Sequence, residues 1–166
     1  MLHIKDVERI IVKLSKTLVL VKPDAIRRGM LGKIITRIEE KGLLVTGVSS
    51  FVFTDDLLKE HYSHLADEPF FLRIAGFMKS DMTVAICVEG VDAVPVVREL
   101  VGVTNGREAL PGTIRGDHSV SVQKNLVHAS DSQESAEVEI QRFFPDGIPG
   151  DSFLGRAEEY YSSDEL

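Results

Sequence analysis

The chain has 166 residues, with 19 Lys and Arg, 26 Asp and Glu and five His, for a formal net charge of −7. That length predicts one domain, and 43% apolar with 27% charged residues excludes a disordered chain. Cys87 is the single cysteine, which excludes a disulfide framework and a Cys-based zinc site, and no stretch reaches the ~20 apolar residues of a membrane span.

Met1–Ser15 mixes apolar residues with Lys5, Asp6, Glu8, Arg9 and Lys13, so no signal peptide is expected, and residues 1–16 read as an N-terminal extension. Thr17–Lys22 is a branched apolar run stopped by Pro23, the pattern of a buried strand. The proline keeps Lys22 extended at the strand end, where its side chain can point into a cleft. Met30–Lys41 has helical apolar spacing, with Gly42 as its stop. Leu43–Phe53 reads as a second strand with a bulge at Gly47. Thr54-Asp-Asp opens a helix that gathers Leu57, Leu58, His61, Tyr62 and Leu65 on one side. His61 and His64 have a permitted metal spacing, but a surface helix accounts for them better.

Pro69 is placed to start a helix running to Met78. Met82–Val88 reads as a third strand, and Val91–Val101 as a helix with Pro95 tolerated in its first turn. Residues 102–119 show no period and read as a long loop, a feature that is usually functional or mobile. Val120–Val127 alternates as a fourth strand. Ser130 with Gln133, or Asp131 with Glu134, offers capping-box spacing before a helix to Phe144. Pro145, Gly147, Pro149 and Gly150 end regular structure, and residues 146–166 read as an acidic tail after a domain over 17–145. The acidity is concentrated at this end: residues 1–128 carry a net charge of +1 and residues 129–166 a net of −8. Strands separated by helices suggest an α+β fold with one sheet covered by helices; a parallel doubly wound sheet is the competing topology.

Several phosphate and nucleotide motifs are absent. There is no Walker loop, no G-x-G-x-x-G and no H-E-x-x-H. Three stretches read as more than packing: Lys22-Pro-Asp24, Arg98 through Asp117, and Asn125 through Ser132. Each has a plain alternative. Lys22 could be a solvated strand end, Arg115 and Asp117 a loop ion pair, and His128 a hydrogen-bonded core histidine. Together they suit phosphate transfer. Arginines bind phosphate oxygens bidentately, glycines let the backbone approach a ligand, and a neutral histidine can act as a nucleophile.

T-L-V-L-V-K-P-D, L-L-K-E-H-Y, P-F-F, P-G-T-I-R-G-D and N-x-x-H-x-S-D-S occur in this order between Thr17 and Phe144. In this, the chain closely resembles nucleoside diphosphate kinases. The resemblance implies a ferredoxin-like α/β sandwich with a four-stranded antiparallel sheet, and transfer of the terminal phosphate of a nucleoside triphosphate to a nucleoside diphosphate by a ping-pong route. It implies His128 as the phosphorylated nucleophile and Glu139 as the carboxylate that fixes its tautomer. Lys22, Tyr62, Arg98, Thr104 and Arg115 would bind phosphates, and Asn125 with Lys22 the ribose hydroxyl. Phe70 would stack on the base, with Ile74 and Val122 lining its other side. It further implies Mg²⁺ held through the nucleotide phosphates, no dedicated protein metal site, and a homo-oligomer (a hexamer, or else a tetramer or dimer). The single cysteine makes a reducing cytoplasm the default, and the missing apolar span and overall acidity speak against membrane and specific nucleic-acid binding.

The chain departs from the family pattern at several points. Gly106 stands where the family usually has proline, which suggests a looser loop and weaker assembly. Glu68 and Lys124 stand for common arginines, Ala129 for a frequent glycine, and the usual C-terminal tryptophan is missing. Two other function classes remain open on sequence alone. A regulatory nucleotide-binding domain would keep the cationic pocket without needing His128, and a nucleic-acid binder fits poorly with the acidic tail.

Overall fold

The computed structural model describes residues 14–148 and 153–161. The expected extension before Leu14, and the parts of the expected tail at 149–152 and 162–166, lie outside the described residues. Four strands form one antiparallel sheet in the order β2-β3-β1-β4: β1 Leu14–Val21, β2 Leu44–Phe51, β3 Thr83–Val91 and β4 Val127–Ala129. This is the ferredoxin-like α+β sandwich, and the antiparallel pairing rejects the doubly wound alternative.

The central pair, β1 and β3, explains the continuous apolar runs. Side chains alternate across a sheet, and here both faces are buried. Val19, Val21, Val84 and Ile86 enter one core with Ile34, Ile38 and Val97. These last come from α2 (Leu31–Glu40) and α5 (Ala93–Val101). Leu18, Leu20, Ala85 and Cys87 enter the other core with Leu58, Met78 and Phe143. Those come from α3 (Asp55–His61), α4 (Phe71–Met78) and α7 (Gln133–Phe143). Register shifts between Val45 and Gly47, the expected bulge; a Cβ on Gly47 would sit 3.1 Å from the Phe144 ring.

The structure moves several expected boundaries. β1 opens at Leu14, three residues early. A short helix, α1 (Pro23–Arg27), follows it where none was expected, with Pro23 at its first turn. Thr54 caps α3 by accepting the Leu57 N–H at 3.2 Å. Pro69 does not start α4; the helix begins two residues later, at Phe71.

The expected fourth strand at Val120–Val127 is corrected to Val127–Ala129. Ser119 and Ser121 bend the chain instead. Ser119 Oγ donates to the Lys124 carbonyl at 2.9 Å, and Ser121 Oγ accepts the N–H groups of Gln123 and Lys124. Serine hydroxyls that capture nearby backbone groups compete with ladder bonds, and the alternating Val120 and Val122 face outward.

The long loop at 102–119 is also corrected, because it contains α6 (Ile114–His118). Thr113 Oγ1 caps it by accepting the Gly116 N–H at 3.0 Å. α7 is capped by Ser132, which accepts the Ser135 N–H at 3.1 Å, rather than by Ser130 or Asp131. Finally, part of the expected tail is packed: Phe153 and Ala157 are fully buried beside Leu14, Leu44 and Val91. The Phe153 N–H donates to the buried Glu89 carboxylate at 3.2 Å.

Candidate active site

Lys22 sits where β1 ends, and Pro23 turns the chain into α1. Its ammonium is buried and donates to the Gln123 carbonyl at 2.7 Å and to Asn125 Oδ1 at 2.5 Å. It lies 5.5 Å from the centre of the Phe77 ring. Burial lowers its pKa to about 8; the Asp24 carboxylate opposes that shift, and the Arg115 charge adds to it. Both Asn125 amide hydrogens are used, donating to the Thr104 and Val122 carbonyls at 2.8 Å each, which leaves one lone pair on Oδ1.

Arg115 enters from α6. Its guanidinium donates to the carbonyls of Asn125 (3.3 Å), Gly102 (2.8 Å) and Val127 (2.7 Å). Three of its five N–H bonds are spent on the scaffold, which leaves two for a ligand. Burial, reinforced by Arg98, lowers its pKa to about 10. Arg98, on α5, lines the same cleft but is exposed. The plain alternative for Arg115, an ion pair with Asp117, does not form. Asp117 instead meets Arg37 at 3.5 Å and accepts the Gly112 N–H at 2.7 Å.

β4 carries His128 opposite Leu20 of β1. Its Nε2 meets Glu139 Oε1, on α7, at 2.8 Å. A carboxylate accepts only from a protonated nitrogen, so in the neutral ring this contact assigns the proton to Nε2 and the lone pair to Nδ1. Ser130 Oγ donates to the other carboxylate oxygen at 2.5 Å. Burial pushes the Glu139 carboxyl upward, but the bonds from His128 and Ser130 outweigh it, and the net shift is downward. Tyr62 is held well above the usual phenol range by burial and by Glu139.

His61 is corrected from a surface residue to a buried one, 6% exposed. Its ring centre lies 5.0 Å from that of His128, and Arg142 Nη1 reaches its Nδ1 at 3.4 Å. The signal was present in the sequence, since His61 falls on the apolar side of its helix. The side chain of His64 lies outside the described residues.

Lys22, Tyr62, Phe70, Ile74, Arg98, Thr104, Arg115, Val122, Asn125, His128 and Glu139 all line one cleft of about 1030 Å³. Phe70 and Val122 are 38% and 52% exposed, which leaves an apolar edge at the cleft. The floor is therefore cationic and the edge apolar, with a histidine whose unprotonated nitrogen is defined. Reasoning from the sequence alone missed Ser130 as a partner of Glu139, and Phe77 and Arg142 as neighbours of Lys22 and His61.

Gly106 lies at a close approach. It is buried, its N–H donates to the Ser121 carbonyl at 3.3 Å, and a Cβ there would lie 2.6 Å from the Ser119 carbonyl oxygen. The missing Cβ is what permits this close approach.

Among the described residues, one group could share a cation: His61, His128 and Glu139, with ligand atoms within 4.8 Å of one another. Two imidazoles and a carboxylate do not make the all-oxygen shell that Mg²⁺ demands.

The family model for nucleoside diphosphate kinase matches residues 15–148. A nucleoside diphosphate kinase of Parabacteroides distasonis is 51% identical over 153 residues, covering 92% of this chain and all of the relative. The nucleoside diphosphate kinase structure from Encephalitozoon cuniculi superposes with a TM-score of 0.83 at 41% identity, over 88% of this chain and 99% of that one. The halophilic enzyme of Halobacterium salinarum, solved in complex with CDP, gives 0.84 at 39% identity, over 89% and 99%.

Proposed function

The chain belongs to the nucleoside diphosphate kinase family, and from that premise we propose how its own residues perform the family's reaction. The protein is a phosphotransferase. It moves the terminal phosphate of a nucleoside triphosphate to a nucleoside diphosphate by a ping-pong route through a phosphohistidine.

In the proposed mechanism Nδ1 of His128 attacks the γ-phosphorus. The bond from that phosphorus to the bridging oxygen breaks, and the diphosphate leaves with the electron pair. Glu139 keeps the proton on Nε2 and offsets the positive charge that the ring gains. In the second half-reaction a terminal oxygen of the acceptor diphosphate attacks the same phosphorus, the N–P bond breaks, and neutral His128 returns. Such transfers need little covalent chemistry beyond the nucleophile, so positioning and charge stabilisation dominate. Lys22, Arg98 and Arg115 supply the charge, and Tyr62 and Thr104 add polar contacts. Asn125 with Lys22 meets the ribose hydroxyl. Phe70, Ile74 and Val122 hold the base by its faces, an interaction that tolerates any base. The observation that carries these assignments is the 2.8 Å contact between His128 Nε2 and Glu139 within a cleft floored by cations.

Mg²⁺ fits this cleft as a companion of the nucleotide, held by phosphate oxygens and water, with the carboxylates of Asp131 and Glu134 among the lining. When bound, it screens the phosphate charge. Residence in the cytoplasm is part of the same proposal; no helix among the described residues is long and apolar enough to cross a membrane. Assembly as a homo-oligomer, a hexamer or else a tetramer or dimer, belongs to the same proposal; Leu72, Leu110 and Val120, 81%, 74% and 81% exposed, are apolar side chains that a second copy could cover. Labelling with γ-³²P-ATP tests the mechanism. The label should be acid-labile, map to His128 and transfer to added diphosphate. An H128A variant that keeps full exchange activity overturns it.

A further inference from the structure

Leu126 lies between Asn125 and the strand that carries His128, and its φ is +73°. A leucine holds this left-handed conformation only where its surroundings impose it. Its side chain is fully buried in the core, so it cannot relax outward. Both of its backbone polar groups are held by the segment Lys22-Pro-Asp24. The Lys22 N–H donates to the Leu126 carbonyl at 2.8 Å. The Leu126 N–H donates to Asp24 Oδ2 at 3.1 Å. Pro23 fixes its own φ and keeps Lys22 extended, at φ −80° and ψ 165°, so the two gripping atoms are spaced by a stiff link. Asp24 itself is buried, 5% exposed, and the phosphate-transfer steps make no use of it.

The kink at Leu126 has consequences on both sides. Before it, Asn125 reaches Lys22 Nζ. After it, the chain enters β4, where His128 pairs with Leu20 and meets Glu139. An extended residue at 126 would alter the path between these two side chains, because backbone direction sets where neighbouring side chains point.

We propose that Asp24 is a positioning residue for phosphoryl transfer: its carboxylate holds the Leu126 amide in the left-handed kink, and thereby sets Asn125 and His128 in their working orientation. This rests on the reading of His128 as the phosphorylated residue. Asp24 also offsets the loss of charge that burial imposes on Lys22, so its acceptor role and its charge have to be separated. Asparagine separates them, since its amide oxygen can accept the same N–H without the charge.

The test uses the full chain. Parent, D24N and D24A are compared for thermal unfolding, for kcat and KM with a nucleoside diphosphate acceptor, for the pH profile of kcat, and for the rate of His128 labelling by γ-³²P-ATP. D24A, folded at the assay temperature, should lose at least tenfold in kcat and in labelling rate, while KM changes less than threefold. D24N should stay within threefold of the parent. Should D24A not fold, D24S, whose hydroxyl ends one bond short of the carboxylate oxygens, carries the same expectation. Folded D24A or D24S with kcat within threefold of the parent overturns the proposal. So does D24N falling as far as D24A with the alkaline limb of both profiles displaced to lower pH, because Asp24 would then act through the charge of Lys22. A parent protein that takes no label on His128 overturns the reading of the cleft instead, and this inference with it.

Discussion

Lys22 Nζ lies 2.5 Å from Asn125 Oδ1, across 103 residues of sequence. The bond ties the end of β1 to the bend before β4 and leaves the ammonium one further hydrogen after its bond to the Gln123 carbonyl. The ribose contact expected of this pair therefore falls to a preorganised unit, one that a ligand meets already assembled.

Burial gives Lys22 a pH-dependent cost. Its folded pKa is about 8, below the ordinary lysine value of about 10.4, so the folded state disfavours the charged form. That cost is fully present below pH 8 and is relieved as the pH rises from about 8 towards the unfolded value. The parent should gain stability relative to K22M across that window, by at most about 3 kcal/mol. Urea unfolding at pH 7 and pH 10 measures it. Nucleotide affinity should move the opposite way, weakening as the ammonium loses its proton.

Glu139 shows the reverse sign. Its carboxyl is lowered in the fold, so the stability it contributes is present above the unfolded carboxylate value and fades as the pH falls through the folded one. E139Q should slow phosphorylation of His128 by about 100-fold, because the amide can donate to Nε2 and stabilise the wrong tautomer. S130A should leave a carboxylate oxygen and the Leu18 N–H without their partner, at a cost of about 1–2 kcal/mol. Its rate loss should be smaller than that of E139Q in single-turnover quench flow.

The two arginines of the cleft should separate cleanly. Arg115 is 9% exposed and bonded to three carbonyls, so R115A should lower stability by about 2–4 kcal/mol as well as weaken phosphate binding. Arg98 is exposed, so R98A should raise KM with a stability change within about 0.5 kcal/mol. Calorimetric unfolding beside steady-state kinetics distinguishes them.

At Gly106 the residue usual in the family should be harmful. Proline would remove the N–H that reaches the Ser121 carbonyl and would place a Cβ against the Ser119 backbone. G106P should lose about 1–3 kcal/mol instead of gaining from a stiffer loop. Thermal unfolding reads the sign directly.

The sheet was legible where its strands are continuous apolar runs. Leu18–Val21 and Val84–Val88 are buried on both faces, and a run of branched residues bounded by turn signals announces that. β4 was not legible. It has three residues, Val127–Ala129, and the alternation just before it belongs to a bend that serine hydroxyls hold. α6 was missed because five residues containing a glycine carry no helical period. Phe153 and Ala157 carry no local mark of burial, because the strand residues Leu14, Leu44 and Val91 that cover them are distant in sequence and their own segment is acidic and irregular.

By itself the sequence determined the chemical inventory that the proposed mechanism draws on: three cations, the histidine proposed as nucleophile, a carboxylate eleven residues beyond it, and the aromatic proposed to meet the base. Those are matters of residue type and order, and the chain supplies them locally. Only the tertiary structure decided which atoms face one another. It spends three of Arg115's donors on carbonyls, turns Ser130 from a helix cap into a partner of Glu139, and buries His61 beside His128. It also sets His128 Nε2 against the Glu139 carboxylate, which favours the neutral ring's proton on that nitrogen. Hydrogen bonds and burial join residues distant along the chain, and their geometry is fixed when strands pair and helices pack, a step that local propensity does not encode.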